Sequence, residues 1–499
     1  MTKKKEKKTF SPIITLSLLI VITMIVTSAL SLLNVEGSKT VIEGNTLETS
    51  IVVVNNIFTK SGLTNFFGNI ITNLQLLKPL VLIILSLMAT SILKTSGLLK
   101  HLFKPLKKVK PKYITLIVVF VGFISSFIGE YSYIILLPIV PILYLYLNKN
   151  PILGIITLFL GIALGYGTGM FYNYENYILG TLTQISATID VDHTYKHTLY
   201  SNIYIMLTST ILISILLSIV INKRLLPKYN EKYEYEDELV TSKKGLISSL
   251  IVLLISILIL TVMILPRFGG ILLDSSQNTF VAKLLGTTAP FQQSFIYIYL
   301  LIASFMGLTY GIITKNFKNN HEFGLGFTEE FNKIGYLFAM MVLISILSGI
   351  IDWTNIGVVI TTKLINLLVV LNFSGFSLIV LAFIFIILMT ILMPNNLQKW
   401  TLISPLIIPL FMRANISPDF TQFLFQVASG IGSSLTPLFI YFIIMLGLMQ
   451  KYDEEDLSVF KTLKMMLPII LLTTLFWLLL IMCFYVVGLP IGIGTSITM

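Results

Sequence analysis

Long apolar runs alternate with short polar segments along almost the whole chain. Nine runs reach or exceed the ~20 residues that an α-helix needs to cross the hydrocarbon core of a bilayer. They lie at residues 11–33, 69–93, 152–172, 199–222, 246–265, 293–314, 333–371, 419–448 and 463–488. Two more apolar segments, residues 113–147 and 374–412, are each interrupted near the middle by polar residues. The pattern predicts an all-α integral membrane protein with about nine transmembrane helices and two re-entrant hairpins.

The composition is that of a protein whose solvent is lipid. Of its 499 residues, 55% are hydrophobic and 11% are charged, whereas a soluble domain carries about 25% charged residues. The formal net charge is +11, but the lysines cluster in short segments between apolar runs, as in cytoplasmic loops. This placement argues against nucleic acid as a partner. The one cysteine, Cys483, lies in an apolar run, which excludes a disulfide framework and a Cys-rich metal site.

The basic segments predict the orientation of the chain in the cell membrane. Residues 100–112 hold six lysines and no acidic residue, which marks this loop as cytoplasmic under the positive-inside rule. The other basic loops fall on the same side if both interrupted segments turn back to the face from which they entered. The first hairpin then enters from the cytoplasm and the second from outside. The N-terminus is expected in the cytoplasm and the C-terminus outside.

The two hairpins carry similar proline patterns, which indicates an internal repeat. Pro138 and Pro151 are thirteen residues apart, and so are Pro405 and Pro418. We therefore divide the chain into a first half, residues 1–222, a charged cytoplasmic linker, residues 223–244, and a second half, residues 245–499. Broken, polar segments at matching places in two inverted halves are typical of a secondary transporter whose substrate binds between them.

The hairpin tips carry the first candidate site residues. A carboxylate at the bilayer centre is unfavourable by roughly 2.5–3.5 kcal/mol, so Glu130 is expected to face a cavity or a partner. It is our candidate for the ion-coupling group, with an interfacial carboxylate as the alternative. At the second tip, Lys399 is the candidate for attracting an anion and Trp400 for stacking on a ring. The alternatives are that Lys399 snorkels to the membrane surface and that Trp400 lies in the interfacial belt of aromatic residues.

Two glycine-spaced polar breaks, one in each half, provide the remaining candidates. Irregular backbone at membrane depth is tolerated where it lines a cavity or is buried in protein, although small residues also serve close helix packing. The predicted substrate-binding set comprises Ser125, Ser126, Glu130, Gly165, Gly167, Thr168, Asn395, Asn396, Lys399, Trp400, Gln426, Ser429, Ser433, Ser434, Thr436 and Pro437.

The sequence holds few other signs of chemistry. The pair His193 and His197 has the spacing of one helical face, but its polar surroundings favour a solvated outer loop. Asp352 interrupts an apolar run. Two interpretations stay open, a hinge or a turn whose polar groups have hydrogen-bond partners. There is no phosphate loop of the G-x-x-x-x-G-K-[ST] kind and no hydrolase or metal constellation. The prediction is therefore a protein that is not an enzyme and has no cofactor and no bound metal.

The same residues resemble the AbgT family, the p-aminobenzoyl-glutamate transporters, over nearly the whole chain. The likeness in the first half lies in Ser96-Gly-Leu-Leu, residues 118–125, residues 133–138 and Pro151-Ile-Leu-Gly154. In the second half it lies in Lys399-Trp400, Ser404-Pro405, residues 416–422, Thr436-Pro-Leu438 and residues 450–453. The resemblance implies a homodimer of nine-span protomers with two re-entrant hairpins. It also implies import of p-aminobenzoyl-glutamate, or ion-driven export of sulfonamide-like antimetabolites.

The chain departs from the family pattern at several polar positions. Glu130 stands where the family usually has Asp, and Ser126 where it has Asn. Residues 395–398 replace a small, serine-rich stretch, and Gly169 stands in place of an Asn. The family's Arg and Asp fall on Gln426 and Ser429, so the bidentate carboxylate clamp that an Arg supplies is missing.

The resulting expectation is an ion-coupled secondary transporter of p-aminobenzoyl-glutamate or a related small aromatic or organic anion, acting by alternating access in the lipid bilayer. The coupling ion is left open between Na⁺ and H⁺. The alternatives are an exporter of sulfonamide-like antimetabolites or other drugs and, from another class, a non-transporting membrane scaffold or receptor with the same fold.

Overall fold

The structure, a computed structural model, describes residues 10–43, 46–229, 233–452 and 457–499. Residues 1–9, which hold the N-terminal lysines, lie outside the described residues. So do residues 230–232 of the predicted linker and residues 453–456, which include the last residue of the 450–453 motif. The described chain is mostly helical, as the apolar pattern predicts.

The first half consists of nine α-helices and one two-stranded hairpin among its described residues. In chain order these are α1 (Pro12–Leu32), β1 (Glu36–Glu43), β2 (Thr46–Val53), α2 (Lys60–Gln75), α3 (Lys78–Thr95), α4 (Leu98–Phe103), α5 (Pro111–Ser125), α6 (Tyr131–Tyr146), α7 (Pro151–Leu164), α8 (Tyr174–Asp190) and α9 (Ile203–Arg224). Helix starts follow local chemistry. Pro151 occupies the first turn of α7, where its missing N–H costs nothing, and the side chain of Asn150 caps that turn.

Residues 233–242 of the linker form no helix. The second half follows them. It comprises α10 (Lys243–Ile264), α11 (Phe280–Leu285), α12 (Pro290–Thr314), α13 (Asn320–Gly326), α14 (Gly335–Thr354), α15 (Ile356–Leu371), α16 (Gly375–Leu392), α17 (Asn396–Arg413), α18 (Pro418–Ser433), α19 (Ile440–Gln450) and α20 (Val459–Val487). Short 3-10 turns join several of them, including Glu329–Phe331 before α14.

Nine helical segments of the described chain are long and apolar enough to cross a membrane. The number of these segments agrees with the predicted number of spans, but the segments themselves are not all the predicted ones. They include α5 and α16, the first arms of the two predicted hairpins. The predicted span 152–172 is helical as far as Leu164, and α8 begins beyond the predicted span, at Tyr174. The predicted span 419–448 is divided into α18 and α19. The glycine-spaced residues 165–169 follow the end of α7, whereas Gly430 and Gly432 lie within α18 and the break comes after Ser433.

Three local features differ from the sequence expectation. The segment between α1 and α2 forms an antiparallel β-hairpin in which Glu36 pairs with Val53. The expected outer loop before residue 199 is largely the helix α8, which packs against α17 and α18. The long run 333–371 is interrupted at Asn355, which has a φ of 59°, rather than at residues 349–352. The polar segments before α2 and before residue 199 thus form more regular structure than their composition indicates.

Each predicted hairpin is a helix, a short break and a second helix, and the helix that follows packs against both arms. In the first half α7 contacts α5 and α6, and in the second half α18 contacts α16 and α17. Small residues allow this close approach. A Cβ at Gly122 of α5 would lie 2.9 Å from the backbone of Gly161 in α7. The two halves therefore repeat the same packing arrangement.

The lysine-rich loops are tied together at one end of the molecule, which we call the basic end. Lys100 binds Asp237 of the linker, and Asn316 donates hydrogen bonds to the carbonyls of Ser96 and Val240. α14 runs from this end to the opposite one, where its last residue, Thr354, accepts a hydrogen bond from the N–H of Asn55 beside the β-hairpin. We call that opposite end the hairpin end.

Candidate functional site

Several helix breaks meet at one partly open cavity of about 500 Å³. Its wall includes Leu76–Pro79 between α2 and α3, Glu130 between α5 and α6, Met393–Asn395 between α16 and α17, and Leu438–Tyr441 between α18 and α19. The last turns of α14 complete it. Both predicted hairpin tips and the break after α18 therefore lie on one cavity. Non-helical backbone within a membrane protein is expected where it lines such a space.

Four helices begin at this cavity: α3, α6, α17 and α19. The N-terminus of a helix carries a partial positive charge of about half a unit, with N–H groups that lack a partner inside the helix. Asn395 caps α17, whereas α3, α6 and α19 have no capping side chain among the described residues. The partial positive charges at these converging helix ends suit an anionic group.

Glu130 exposes its carboxylate to the cavity at the start of α6. One of its oxygens accepts a hydrogen bond of 2.8 Å from the hydroxyl of Tyr441, at the start of α19. The ring of Tyr441 stacks on that of Tyr133, with centroids 4.8 Å apart and planes 13° from parallel. This contact joins the first hairpin tip to a helix of the second half.

Two further charged side chains line the cavity, Lys78 at the first residue of α3 and Asp352 near the end of α14. Both are exposed in the cavity wall. The cavity therefore offers one cationic and two carboxylate groups, with the amides of Asn73 and Gln398 beside them.

Lys399 does not line this cavity but lies fully buried behind it. Its ammonium donates hydrogen bonds to Thr390 Oγ1 at 2.5 Å, Asn396 Oδ1 at 3.2 Å and the carbonyl of Met393 at 3.4 Å. It lies 5.3 Å from the ring centroid of Phe425. Among the described residues no carboxylate lies within ion-pair distance. In this conformation the hydrogen bonds of Lys399 thus connect the end of α16, the break and the start of α17.

Trp400 is also fully buried and lies between α8 and α18. Its indole N–H donates to the carbonyl of Leu179 and to Thr183 Oγ1, each at 3.2 Å. The ring packs on that of Phe425 at a centroid distance of 4.3 Å. In this conformation the indole thus packs against protein on both sides.

The glycine break after α7 lies against α18. Gly167 has a φ of +79°, and a Cβ on it would lie 2.4 Å from the side chain of Gln426. In return, a Cβ on Gly430 would lie 2.2 Å from the carbonyl oxygen of Ala163. Gly165 packs against Phe123, and the Thr168 hydroxyl donates to the carbonyl of Gly165 at 2.6 Å. The glycines after α7 and near the end of α18 therefore allow these two segments to lie in close contact.

One face of α18 carries buried polar atoms without a hydrogen-bond partner in the described chain. These are Gln426 Nε2, Ser429 Oγ and Ser433 Oγ, together with Oδ1 of Asn176 on the facing helix α8. The amide of Asn176 donates to Gln426 Oε1 at 3.3 Å. Buried polar atoms normally have partners, so this face is suited to water or to a polar ligand.

The remaining predicted site residues bond locally at the helix breaks. Ser125 and Ser126 donate to the carbonyls of Gly122 and Phe123. Ser434 donates to the carbonyl of Ile431, and Thr436, which precedes Pro437, donates to the carbonyl of Ile391 in α16. Of the predicted set, Glu130 and Asn395 line the cavity, and the others are not among its lining residues.

Sequence reasoning missed several residues of the cavity, and their signals are weak. Lys78 precedes Pro79 within a predicted span, and this pair marks the break between α2 and α3. Tyr441 lies in an apolar run that gives no such sign. His197 was expected in solvent, but its imidazole lies buried against Asp419, with Nδ1 2.7 Å from Oδ1. Within the described ranges no cluster of three His, Cys, Asp or Glu could hold a metal ion.

Comparison with known proteins gives consistent matches over the whole chain. Residues 4–499 match the family described as the AbgT putative transporter family. The p-aminobenzoyl-glutamate transport protein of Escherichia coli strain K12 is 24% identical over 484 residues, covering 95% of this chain and 92% of that protein.

Two solved transporter structures share the fold. The YdaH transporter of Alcanivorax borkumensis has 21% identity and a TM-score of 0.50, and the match covers 97% of this chain and 100% of that one. MtrF of Neisseria gonorrhoeae, described among antimetabolite efflux pumps, has 22% identity and a TM-score of 0.51, with 98% of both chains covered.

Proposed function

Since the chain belongs to the AbgT putative transporter family, we propose that it is an ion-coupled secondary transporter of a small aromatic or organic anion. The family consists of transporters, and the protein is not an enzyme. The observation that carries the proposal is the meeting of helix breaks from both halves at one cavity. A site of this kind becomes accessible from alternate sides when one half moves against the other.

The cavity favours an anion that bears an aromatic ring. The uncapped N-termini of α3, α6 and α19, with the ammonium of Lys78, provide positive potential for a carboxylate. Tyr441 and Phe439 provide aromatic surface in the same wall. p-Aminobenzoyl-glutamate, carried by the Escherichia coli relative, combines both groups and is the first substrate to test.

Glu130 is the proposed ion-coupling residue. Its carboxylate is exposed to the cavity and bonded to Tyr441, so binding of H⁺ or Na⁺ there changes the charge next to the substrate. Movement of the Glu130 tip relative to α19 would break this bond and link ion binding to the change of access. We further propose a cytoplasmic basic end, two re-entrant hairpins and a homodimer, as the charge pattern and the family resemblance imply.

Export of sulfonamide-like antimetabolites is the second candidate function. The description of MtrF supports it, and so does the replacement of the family's Arg and Asp by Gln426 and Ser429, whose buried polar atoms carry no charge. A neutral polar face suits a sulfonamide better than it suits a dicarboxylate.

Purified protein in liposomes tests both candidates. Labelled p-aminobenzoyl-glutamate, or in a parallel series a labelled sulfonamide, is followed under counterflow and then under imposed Na⁺ or pH gradients. The gradient that drives accumulation identifies the coupling ion. Absence of counterflow for every anion and sulfonamide tested would favour the non-transporting scaffold.

The matched variant is Glu130→Gln, which keeps the size of the side chain and removes its charge. We expect it to lose ion-driven accumulation while remaining folded in the membrane, as judged by its elution in size-exclusion chromatography. Normal gradient-driven uptake by this variant would exclude the coupling role.

A further inference from the structure

α2 carries a polar stripe that is unusual for a helix in an apolar segment. Ser61, Asn65, Asn69 and Asn73 follow one another at intervals of four residues, which places them on one face of the helix. The opposite face exposes Phe67 and Ile71, which are 70% and 72% exposed. The helix therefore separates an amide face from a strongly apolar face.

The amide face borders a groove that adjoins the central cavity. This wide, open groove of about 910 Å³ is bordered by Thr59–Ser61, Thr64, Asn65, Gly68, Asn69 and the indole of Trp353 in α14. A recess of about 10 Å³, lined by Asn65, Asn73, Gly349 and five apolar side chains, lies beside it. Asn73 and Gly349 also belong to the wall of the central cavity. The groove and the cavity are therefore neighbours along α2, separated by a narrow and mostly apolar contact.

Glycine at position 349 lets the amide of Asn73 close the junction between the groove and the cavity in this conformation. A Cβ on Gly349 would lie 2.1 Å from the amide nitrogen of Asn73, so this amide lies directly on the backbone of α14. The groove itself lies near the hairpin end, because Asn55 beside the β-hairpin donates to the carbonyl of Trp353 at 2.9 Å. Side-chain amides facing lipid would lack hydrogen-bond partners at a cost of several kcal/mol. The groove is therefore suited to water.

We propose that this groove is an outer vestibule that binds the transported aromatic anion before it enters the cavity or after it leaves. The inference rests on the transport function proposed above. The indole of Trp353 offers a face for the ring of the solute, and the amides of Asn65 and Asn69 offer both donors and acceptors. Lys60, exposed at the rim, attracts the negative charge.

Cysteine labelling tests the vestibule directly, because the chain has one natural cysteine. In a Cys483→Ser background, Asn65→Cys and Asn69→Cys are compared with Phe67→Cys and Ile71→Cys on the opposite face of α2. Asn395→Cys reports on the central cavity. The full-length protein in liposomes is treated with a membrane-impermeant, cationic methanethiosulfonate, with and without p-aminobenzoyl-glutamate.

We expect positions 65 and 69 to react at least tenfold faster than positions 67 and 71, and p-aminobenzoyl-glutamate to slow their reaction severalfold. Equal rates on both faces, or no reaction at 65 and 69 because a second protomer covers them, would overturn the vestibule. Protection at position 395 without protection at 65 and 69 also rejects the vestibule but leaves the transport function standing. Protection at none of the three positions counts against both.

Discussion

At the scale of single residues, the pair of Glu130 and Tyr441 connects the two halves across the cavity. A hydrogen bond to a charged group contributes about 1.5–3 kcal/mol. Tyr441→Phe removes the donor and keeps the ring that stacks on Tyr133. We expect gradient-driven flux in liposomes to fall about tenfold or more, since a factor of ten corresponds to about 1.4 kcal/mol.

The control for this prediction is Tyr144→Phe, which also removes a buried hydroxyl but lies away from the cavity wall. Its flux should stay close to that of the unmodified protein. Equal losses in both variants would mean that the effect of Tyr441→Phe is one of general packing.

Lys399 is a buried cation held by neutral oxygens. Burying a charge without an ionic partner lowers the stability of the fold. An apolar side chain of similar size does not carry this penalty. We expect Lys399→Met to raise the melting temperature in detergent by a few degrees, corresponding to about 1 kcal/mol or more, and to abolish transport. A lower melting temperature together with full transport would show that the ammonium is required for folding alone.

The hairpin tips show how far single residues could be placed from the sequence. Glu130 and Asn395 were predicted at the site because polar residues interrupt long apolar runs there, and both line the cavity. The orientation of Lys399 and Trp400 depends on α8, which contributes Leu179 and Thr183 from a distant segment that was expected to be a loop. No local pattern could predict those partners, and their role in binding stays a prediction.

At the scale of elements, the crossing of α7 and α18 depends on glycine. The Cβ introduced by Gly430→Ala would lie 2.2 Å from the carbonyl oxygen of Ala163 and 2.6 Å from the Cβ of Tyr166. Overpacking of this kind costs about 1–3 kcal/mol. The variant should therefore show a lower melting temperature and reduced flux.

Gly324→Ala in α13 is the matched control, because no atom lies within 4 Å of its added Cβ. Alanine is favoured over glycine within a helix by about 0.5–1 kcal/mol. This variant should be as stable as the unmodified protein or slightly more so. A Gly430→Ala protein with unchanged stability would argue against tight backbone packing at this crossing.

The bounds of the helices were predicted well where hydrophobicity determines them and poorly where tertiary packing determines them. The long apolar runs gave helices such as α10 and α20 with bounds close to those expected. The predicted span 152–172 was too long because its apolar character continues past Leu164, where α7 ends, and α18 with α19 was predicted as a single span for the same reason. The helix α8 was expected to be a loop because its segment is polar.

At the scale of the whole molecule, an ion cluster joins distant segments at the basic end. Glu330, buried in the turn before α14, binds Lys94 at 2.7 Å and Lys451 at 2.6 Å, and Glu329 binds Lys94 at 2.8 Å. Burial alone would raise the pKa of Glu330, but the charges of Lys451 and Lys94 outweigh it and lower this pKa below its usual value. The carboxylate therefore contributes stability while it is ionised.

A carboxyl group with a lowered pKa in the folded state stabilises the fold above its unfolded pKa, about 4.3, and loses this contribution as the pH falls through the folded pKa. Glu330→Gln should thus lower the melting temperature at pH 7. The difference from the unmodified protein should shrink progressively below about pH 4. Thermal unfolding in detergent across this pH range measures it.

Glu236→Gln, at an exposed position of the linker, is the control and should leave the melting temperature unchanged at each pH. A destabilisation by Glu330→Gln that is the same at pH 7 and at low pH would indicate lost packing instead of a lost charge.

The ion cluster has a mechanical consequence. α3 and α19 both begin at the central cavity, and Lys94 in the last turn of α3 and Lys451 just beyond α19 are bound by the same carboxylate. A helix of this length resists bending. The ends of α3 and α19 at the basic end therefore stay close together while Glu330 binds both ammonium groups. The far ends of α3 and α19 can therefore separate only after an ion pair to Glu330 has broken, which couples their spacing at the basic end to the charge on this carboxylate.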